Sequence, residues 1–350
     1  MADVVDLTRD EDIEAAAPPA KRSRPAEHLA LTPAAPSANS LLATLHAERM
    51  ARGRSGAPAE AAVAAPSTAP LFQLKLLTYN VWFADVAQRE RMEAIGRLVA
   101  SSSPHVVALQ EVTPGLEEML RSGSWASSYS FSPSPRGVPY YTLLAVRTTF
   151  RRVSFRRIPF PNSRMGRDVT SCMLELGGGK RLCVATSHLE SFLSREDTSS
   201  QERLAQLSTA LSELSRTGSP TDCILAGDMN WDDTLEGPMQ LSGGWKDAWK
   251  LLRPGEPGHT YDARANAMLI GGMRKRLDRV VVRADSYLPG SIEMVGREAI
   301  EGVQYTKTTK GGSKRLPVLP SDHFGLLYTA RLAPLDCQST QGSCKIAGLA

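Results

Sequence analysis

Asp228 and Asn230 stand two residues apart at the end of an apolar run, Cys223–Ile224–Leu225–Ala226–Gly227. In extended backbone alternate side chains leave the same face, so this carboxylate and carboxamide can share one pocket. The plain structural alternative is an Asp–Asn turn after a core strand, since both residues favour turns. Five further sites repeat the design, with a polar group at the end of an apolar strand pattern or inside one. Asn80 closes the Leu74–Tyr79 run, Glu111 follows His105–Gln110, His188 follows Leu182–Ser187, Asp278 lies within Arg274–Arg283, and Asp322–His323 lead into Phe324–Tyr328. Surface polarity placed at random would not track strand ends so consistently, and a buried acid is costly without something positive to meet it. The set offers hard oxygen ligands and two imidazoles, which favours Mg²⁺ or Mn²⁺ over zinc. A divalent cation on one or two carboxylates, beside amides and histidines, suits phosphodiester hydrolysis. The cation neutralises phosphate and leaving-group charge, a carboxylate orients or deprotonates water, and histidine donors stabilise the phosphorane-like transition state.

These groups need strands to carry them and helices to cover the strands. Leu74–Tyr79, His105–Leu109, Leu182–Ser187 and Phe324–Tyr328 read as strands, and Tyr140–Val146 and Thr170–Leu176 as a sheet meander. Met92, Ile95, Leu98 and Val99 recur at helical spacing over Arg89–Ser101, closed by Pro104. Thr113–Pro114 opens a short helix, with Thr as N-cap and Pro in the first turn. A further helix starts with Ser199 and Glu202 in capping-box spacing, buries Leu204, Leu207, Leu211 and Leu214, and can end at Gly218. Between the meander strands lie Arg151, Arg152, Arg156, Arg157, Arg164 and Arg167. Charge runs are usually solvated faces, so only Arg167, beside Gly166, is expected to touch phosphate. Lys307, Lys310, Lys314 and Arg315 form a basic loop containing Gly. Trp231, Tyr261 and Phe324 are aromatics suited to unstacked bases, although Phe324 fits a core position as well.

Composition narrows the field less. A chain of 350 residues, 42% hydrophobic and 22% charged, can hold one large domain or two smaller ones. Residues 1–70 carry seven Lys/Arg and nine Asp/Glu, which leaves 34 basic and 28 acidic residues beyond them. A modestly basic body suits a polyanionic substrate without requiring one. The five cysteines are irregularly spaced, giving neither a disulfide framework nor a CxxC metal site, and a reducing compartment is expected. No apolar run is long enough to span a membrane, and the acidic N-terminus fits neither a secretory signal nor a transit peptide. Residues 1–70 read as a disordered Ala/Pro-rich arm, 71–332 as a catalytic domain and 333–350 as a flexible tail. In the arm, Val4–Val5–Asp6–Leu7–Thr8 with Asp10, Glu11 and Asp12 resembles a SUMO-interacting motif over residues 4–12. Lys21–Arg22–Ser23–Arg24–Pro25 reads as a nuclear address or as a solvated charge cluster, and Ser40–Ala51 as a short helix.

Taken in order, Tyr79–Asn80–Val81–Trp82, Leu109–Gln110–Glu111–Val112, Thr186–Ser187–His188–Leu189–Glu190–Ser191, Gly227–Asp228–Met229–Asn230–Trp231, Leu277–Asp278–Arg279 and Ser321–Asp322–His323–Phe324–Gly325–Leu326 resemble the endonuclease/exonuclease/phosphatase superfamily. Each motif alone occurs widely; the ordered set, from Leu74 to about Tyr328, is specific. Its wording is most similar to the branch that acts on 5′-phosphotyrosyl DNA, in the plant form. The resemblance implies a four-layer α/β sandwich of two packed, mostly antiparallel or mixed sheets, a DNase I-like fold. It implies a nuclear, monomeric, Mg²⁺-dependent enzyme, with Mn²⁺ as a substitute. Its substrate would be DNA 5′ ends carrying phosphotyrosyl adducts of topoisomerase II, left as 5′-phosphates in the repair of double-strand breaks. Carried over residue by residue, Glu111 would bind the metal with support from Asp322, and Asn80 would assist phosphate or metal. Asp228 and Asn230 would orient water and transition state, His188 and Ser191 would contact phosphate oxygens, and His323, oriented by Asp278, would stabilise the phosphorane. Two departures stand out. The animal enzymes have an Arg where this chain has Asp232 and Asp233, and Tyr261 replaces a DNA-facing Trp. Strand-end binding is therefore expected of other basic residues, Arg274 or Lys275. The alternatives are another superfamily nuclease, acting on abasic sites or on poly(A), and a non-catalytic repair scaffold, against which the intact set of acids and histidines argues.

Overall fold

The computed structural model describes residues 72–150, 153–193, 197–216, 222–309 and 312–333. The Val4–Thr8, Lys21–Pro25 and Ser40–Ala51 stretches and the 334–350 tail lie outside the described residues. The first sheet contains β1 (Gln73–Asn80), β2 (Val106–Val112), β3 (Tyr129–Phe131), β4 (Tyr141–Arg147), β13 (Tyr287–Val295) and β16 (Gly325–Leu332), in the order 13-16-1-2-4-3. The second contains β5 (Phe155–Pro159), β6 (Asp168–Glu175), β7 (Arg181–His188), β8 (Asp222–Asp228), β9 (Lys246–Asp247) and β12 (Asp278–Arg283), in the order 5-6-7-8-12-9. Two short ribbons stand apart: β10 (Tyr261–Asp262) with β11 (Arg274–Lys275), and β14 (Gln304–Thr309) with β15 (Gly312–Pro317).

The strands read as nearly continuous apolar runs because both their faces are covered. In β1, Leu76 faces the second sheet and joins Val106, Leu144, Val184, Ile224 and Val280 in the central core. The next residue, Leu77, faces the other way, as the strand period of two demands. It packs beneath α1 (Gln88–Ser102) and α2 (Pro114–Ser122) with Met92, Ile95, Val99 and Leu116. On the far side α3 (Ser200–Arg216) lays Leu207, Leu211 and Leu214 over Cys183, Ala185 and Leu225. Helix, sheet, sheet and helix make the four layers expected. The short α4 (Ala248–Leu252) is capped by the Asp247 carboxylate. The Thr113 hydroxyl accepts from the Leu116 amide with Pro114 in the first turn, a cap worth about 1 kcal/mol.

Three expectations change. Tyr140–Val146 and Thr170–Leu176 do not form one meander: β4 pairs with β2 in the first sheet, β6 with β7 in the second. Leu204 is exposed, because α3 turns Arg203, Gln206 and Leu207 inward and its buried stripe begins on Arg203. The capping box gives way to ion pairing, since the Ser199 hydroxyl accepts from Arg164 and Glu202 pairs with the same guanidinium.

Candidate active site

Two βαβ units aim at one rim. β1 and β2 run parallel, joined through α1, with Asn80 opposite Gln110. β7 and β8 run parallel, joined through α3, with His188 opposite Asp228. Parallel strands joined by a crossover helix finish at the same edge, where α/β sheets bind ligands. β12 lies antiparallel to β8 with Asp278 opposite Asp228, so His188, Asp228 and Asp278 stand in one row across three strands. His323 comes from the turn just before β16.

Local backbone aims these side chains. A bulge between Leu109 and Val112 puts Glu111 at φ 60°, a strained conformation for a non-glycine that swings its carboxylate out of the β2 ladder. Gly227 has φ 153°, and a Cβ there would lie 2.0 Å from the Ser187 carbonyl oxygen, so only glycine lets β7 and β8 approach this closely at the rim.

The amide of Asn80 joins the sheets. Its Nδ2 donates to Glu111 Oε1 at 3.0 Å and to Asp228 Oδ2 at 2.9 Å, while its Oδ1 accepts from the Trp82 amide. Asp228 Oδ1 accepts from the Asn230 amide, and Asn230 Nδ2 donates to the Leu189 carbonyl and the Ser191 hydroxyl. Burial would raise the Asp228 carboxyl, but His188 and His323, with the Asn230 and Asn80 donors, outweigh it and hold it low. Glu111 goes the other way: burial, together with the nearby charges of Asp322 and Asp228, pushes it up to about 7.

The two imidazoles differ. Arg167 Nη1 lies 2.8 Å from His188 Nδ1, and a guanidinium has no lone pair, so Nδ1 accepts and the ring proton sits on Nε2. Burial, then Arg167, depress the His188 pKa to about 3, and its Nε2–H faces Asp228 Oδ2 at 3.4 Å. His323 Nδ1 lies 2.7 Å from Asp278 Oδ2, and its Nε2 lies 3.9 Å from Asp228 Oδ2. Burial opposes charging of His323, but Asp278, Asp322 and Asp228 outweigh it and raise its pKa well above the usual value, making it an imidazolium.

Glu111, His188 and Asp228 bring ligand atoms within 4.8 Å of one another, as do Asp228, Asp278 and His323. The proton positions choose between them. The imidazolium of His323 has no lone pair to give, and His188 has spent its own on Arg167. Each group is left with two carboxylates, and Asp278 is engaged by the His323 imidazolium at 2.7 Å, which leaves Glu111 and Asp228 as the pair for a cation. Asp322, expected as a ligand, belongs to neither group among the described residues; Ser321 donates to it, and it acts on Glu111 through charge.

Residues 77–323 match the sequence profile of the Endonuclease/Exonuclease/phosphatase family. The chain belongs to that family. It is 33% identical to mouse tyrosyl-DNA phosphodiesterase 2 over 76% of this chain and 69% of the mouse protein. The rat tyrosyl-DNA phosphodiesterase 2 is 31% identical over 75% of this chain and 69% of its own length. A crystal structure of D. rerio TDP2 with a single-strand DNA product superposes with TM-score 0.62 at 26% identity, covering 74% of this chain and 99% of that one.

Within this family fold, the expected binding residues divide. Ser191 and Tyr261 are at the rim; the Tyr261 ring meets His323 edge-on at 5.4 Å. Arg167 is 5% exposed and committed to His188, Ser191 and the face of Tyr140, so it acts through them. Trp231 corrects the base-stacking expectation: it is fully buried and its Nε1 donates to the Gly237 carbonyl. The alternation that puts Asp228 and Asn230 in the pocket turns Met229 and Trp231 into the core beneath α3. Arg274 pairs with Asp262, and Lys275 with Asp232, over the ring of Phe192. Asp233 is taken by Arg279 and Arg276.

Three residues escaped the sequence reading. Buried Arg91 donates to the carbonyls of Val81, Trp82, Ala84 and Val86, fixing the turn after Asn80. Buried Glu190 accepts from the Ser163 hydroxyl, the amides of Arg164 and Met165, and Gln206, fixing the loop that presents Arg167. Tyr140 lies under Arg167 and 6.4 Å from His188. For Arg91 a signal existed: it falls on the apolar stripe of its helix, where a cation needs a buried partner.

Proposed function

We propose that the protein hydrolyses the 5′-phosphotyrosyl bond that joins a topoisomerase II tyrosine to a DNA end, releasing a 5′-phosphate. The observation that carries this reading is the meeting of Glu111, Asp228, His188 and His323 around the Asn80 amide, in a chain similar to tyrosyl-DNA phosphodiesterases. Glu111 and Asp228 would hold one Mg²⁺, which keeps most of its own waters and is satisfied by one or two carboxylates. When bound, it neutralises phosphate charge and stabilises the departing phenolate. Asp228, ionised and fixed by Asn80 and Asn230, orients the attacking water and draws its proton. His188 donates a neutral Nε2–H and His323 a cationic one to the phosphoryl oxygens as negative charge builds on them. Ser191 adds a hydroxyl, and Arg167 places a positive charge behind both groups. Tyr261 offers a rim aromatic for the terminal base.

The reading extends to the arm. Residues 4–12 would dock on SUMO or a sumoylated protein, and Lys21–Pro25 would direct the protein to the nucleus. Fusion of residues 1–30 to a fluorescent protein tests the second; a fusion spread evenly through the cell refutes it.

The deciding experiment is turnover of a 5′-phosphotyrosyl oligonucleotide with Mg²⁺, with and without EDTA, against abasic DNA and poly(A). Metal-dependent release of tyrosine in preference to the other two reactions is expected. Preference for abasic DNA or poly(A) would replace this reading with another activity of the family, and inertness on all three would favour a scaffold.

A further inference from the structure

From Gly302 to Pro317 the chain carries Lys307, Lys310, Lys314 and Arg315 and no acidic residue. β14 and β15 within it pair with each other, outside both main sheets. An isolated two-stranded ribbon is marginal in water, so its base must be held. The Tyr305 hydroxyl donates to the Met268 carbonyl at 2.6 Å, the Val318 amide to Val303, and the Ile300 amide to Val318. Tyr305 packs against a cluster of Met268, Val318, Leu319 and Phe324. The loop of Met268 is itself tied to the catalytic turn, since the Asn266 amide donates to the carbonyls of Ser321 and Asp322. The ribbon therefore grows from the rim that carries His323.

Its register sorts the charges. Tyr305 lies opposite Leu316, and Lys307 opposite Lys314, on one face. That face is apolar where it meets the body and doubly cationic one step farther out. Arg315, opposite Thr306, puts another cation on the second face, and Lys314 and Arg315 are exposed. Strands of this length reach about 20 Å, a distance over which one strand of B-form DNA carries about six phosphates.

We propose that the β14–β15 ribbon is an arm that grips the DNA backbone beyond the bond cut at the Asp228 rim, through Lys307, Lys314 and Arg315. This rests on the reading of the substrate as DNA. A substrate seated at the rim brings its own polyanionic strand to the cations, and their spacing along the ribbon suits repeating phosphates.

The test uses the full chain and the triple variant Lys307→Gln/Lys314→Gln/Arg315→Gln. Binding of a fluorescent 5′-phosphorylated oligonucleotide is followed by anisotropy against salt. The slope of log affinity on log salt falls by two to three in the variant, so a fourfold rise in salt weakens the wild type up to about forty-fold more. On a long phosphotyrosyl oligonucleotide KM rises while kcat is kept. Both constants are kept on an aryl ester of thymidine 5′-phosphate, which is too short to reach the arm. Arg89→Gln/Arg97→Gln, which removes exposed charges from α1, leaves the slope within about one. A triple variant that binds DNA with the wild-type affinity and slope overturns the proposal, as does an equal loss in the α1 control. If the wild type cleaves no phosphotyrosyl bond, the reaction assigned to the rim fails, and the binding measurement still decides the arm.

Discussion

On one flank of Asp228, His188 is backed by Arg167; on the other, His323 is backed by Asp278. Both rings are buried and both turn Nε2 toward Asp228 Oδ2, at 3.4 and 3.9 Å. Burial disfavours the charged form of each equally in kind, so the backing group decides. A guanidinium leaves His188 neutral with its proton on Nε2, and a carboxylate leaves His323 an imidazolium. On the proposed function, two side chains of one type would then offer a neutral donor and a cationic one to the same phosphate, the arrangement in which paired environments push pKa values apart. The flanks also differ in origin. The Arg167 flank is held by a loop and a buried acid, whereas the Asp278 flank is held by strand register.

The most severe way to break the comparison is to change what the flanks share. Asp228→Asn keeps the shape of the side chain but removes the charge that orients water, and turnover should fall by at least about 10³-fold. Its Tm should stay within a few degrees of the wild type. A variant with more than a tenth of the wild-type rate would show that Asp228 is not the common partner.

Glu111→Gln should abolish Mg²⁺-dependent turnover and yet stabilise the metal-free protein. The folded state holds the Glu111 proton up to about 7, above the unfolded value of 4.5, so stability is lost as pH rises from 4.5 through about 7. In EDTA the variant should therefore melt several degrees higher than the wild type at pH 8 and the same at pH 4. Equal Tm values at pH 8 would refute the account of a Glu111 carboxyl raised by burial and by the acids beside it.

Exchanging the backing groups sharpens the comparison. Asp278→Asn removes the counter-charge of His323, whose proton is then lost at lower pH; the alkaline limb of the rate profile should move down, with a rate loss of about 10²–10³-fold. Arg167→Gln frees His188 to take a proton, so the acid limb should move up, with a loss of about 10–100-fold. Shifts of the same limb in both variants would mean that the two imidazoles do one job.

How much of this was legible follows from what the signals record. Strand periodicity marked Asn80, Glu111, His188, Asp228 and Asp278 as polar groups at strand ends or within a strand pattern; that they share one edge follows from the parallel pairs with crossover helices and the antiparallel β12, which the structure supplies. The assignment of β4 and β6 to different sheets was not legible, since an apolar strand carries no mark of its sheet. Trp231 misled because aromatic type suggested stacking, while the same alternation that paired Asp228 with Asn230 already implied a core position. Arg91 and Arg203 were readable as cations on apolar helix stripes, and both are fully buried with carbonyl partners. Glu190 was not, because two of its partners are loop amides, which are the same for every sequence, and the others, Ser163 and Gln206, lie far from it along the chain.

The smallest effect tests the loop behind His188. Glu190→Gln keeps one carbonyl oxygen for the amides of Arg164 and Met165 but turns an NH₂ group toward the Gln206 donor. Both bonds accepted by the replaced oxygen, from Gln206 and from the Ser163 hydroxyl, are disturbed, at a cost of about 1–3 kcal/mol for a donor left unpaired, and the loop that presents Arg167 loosens. Turnover should fall about tenfold with KM little changed, because the loss is one of orientation at His188 rather than of a substrate contact. Instability alone would give a lower rate too, so the informative variant is the double one. If Glu190 acts through Arg167, then Glu190→Gln/Arg167→Gln is no slower than Arg167→Gln by itself. Losses that multiply would mean that Glu190 supports the fold of this flank and not its chemistry.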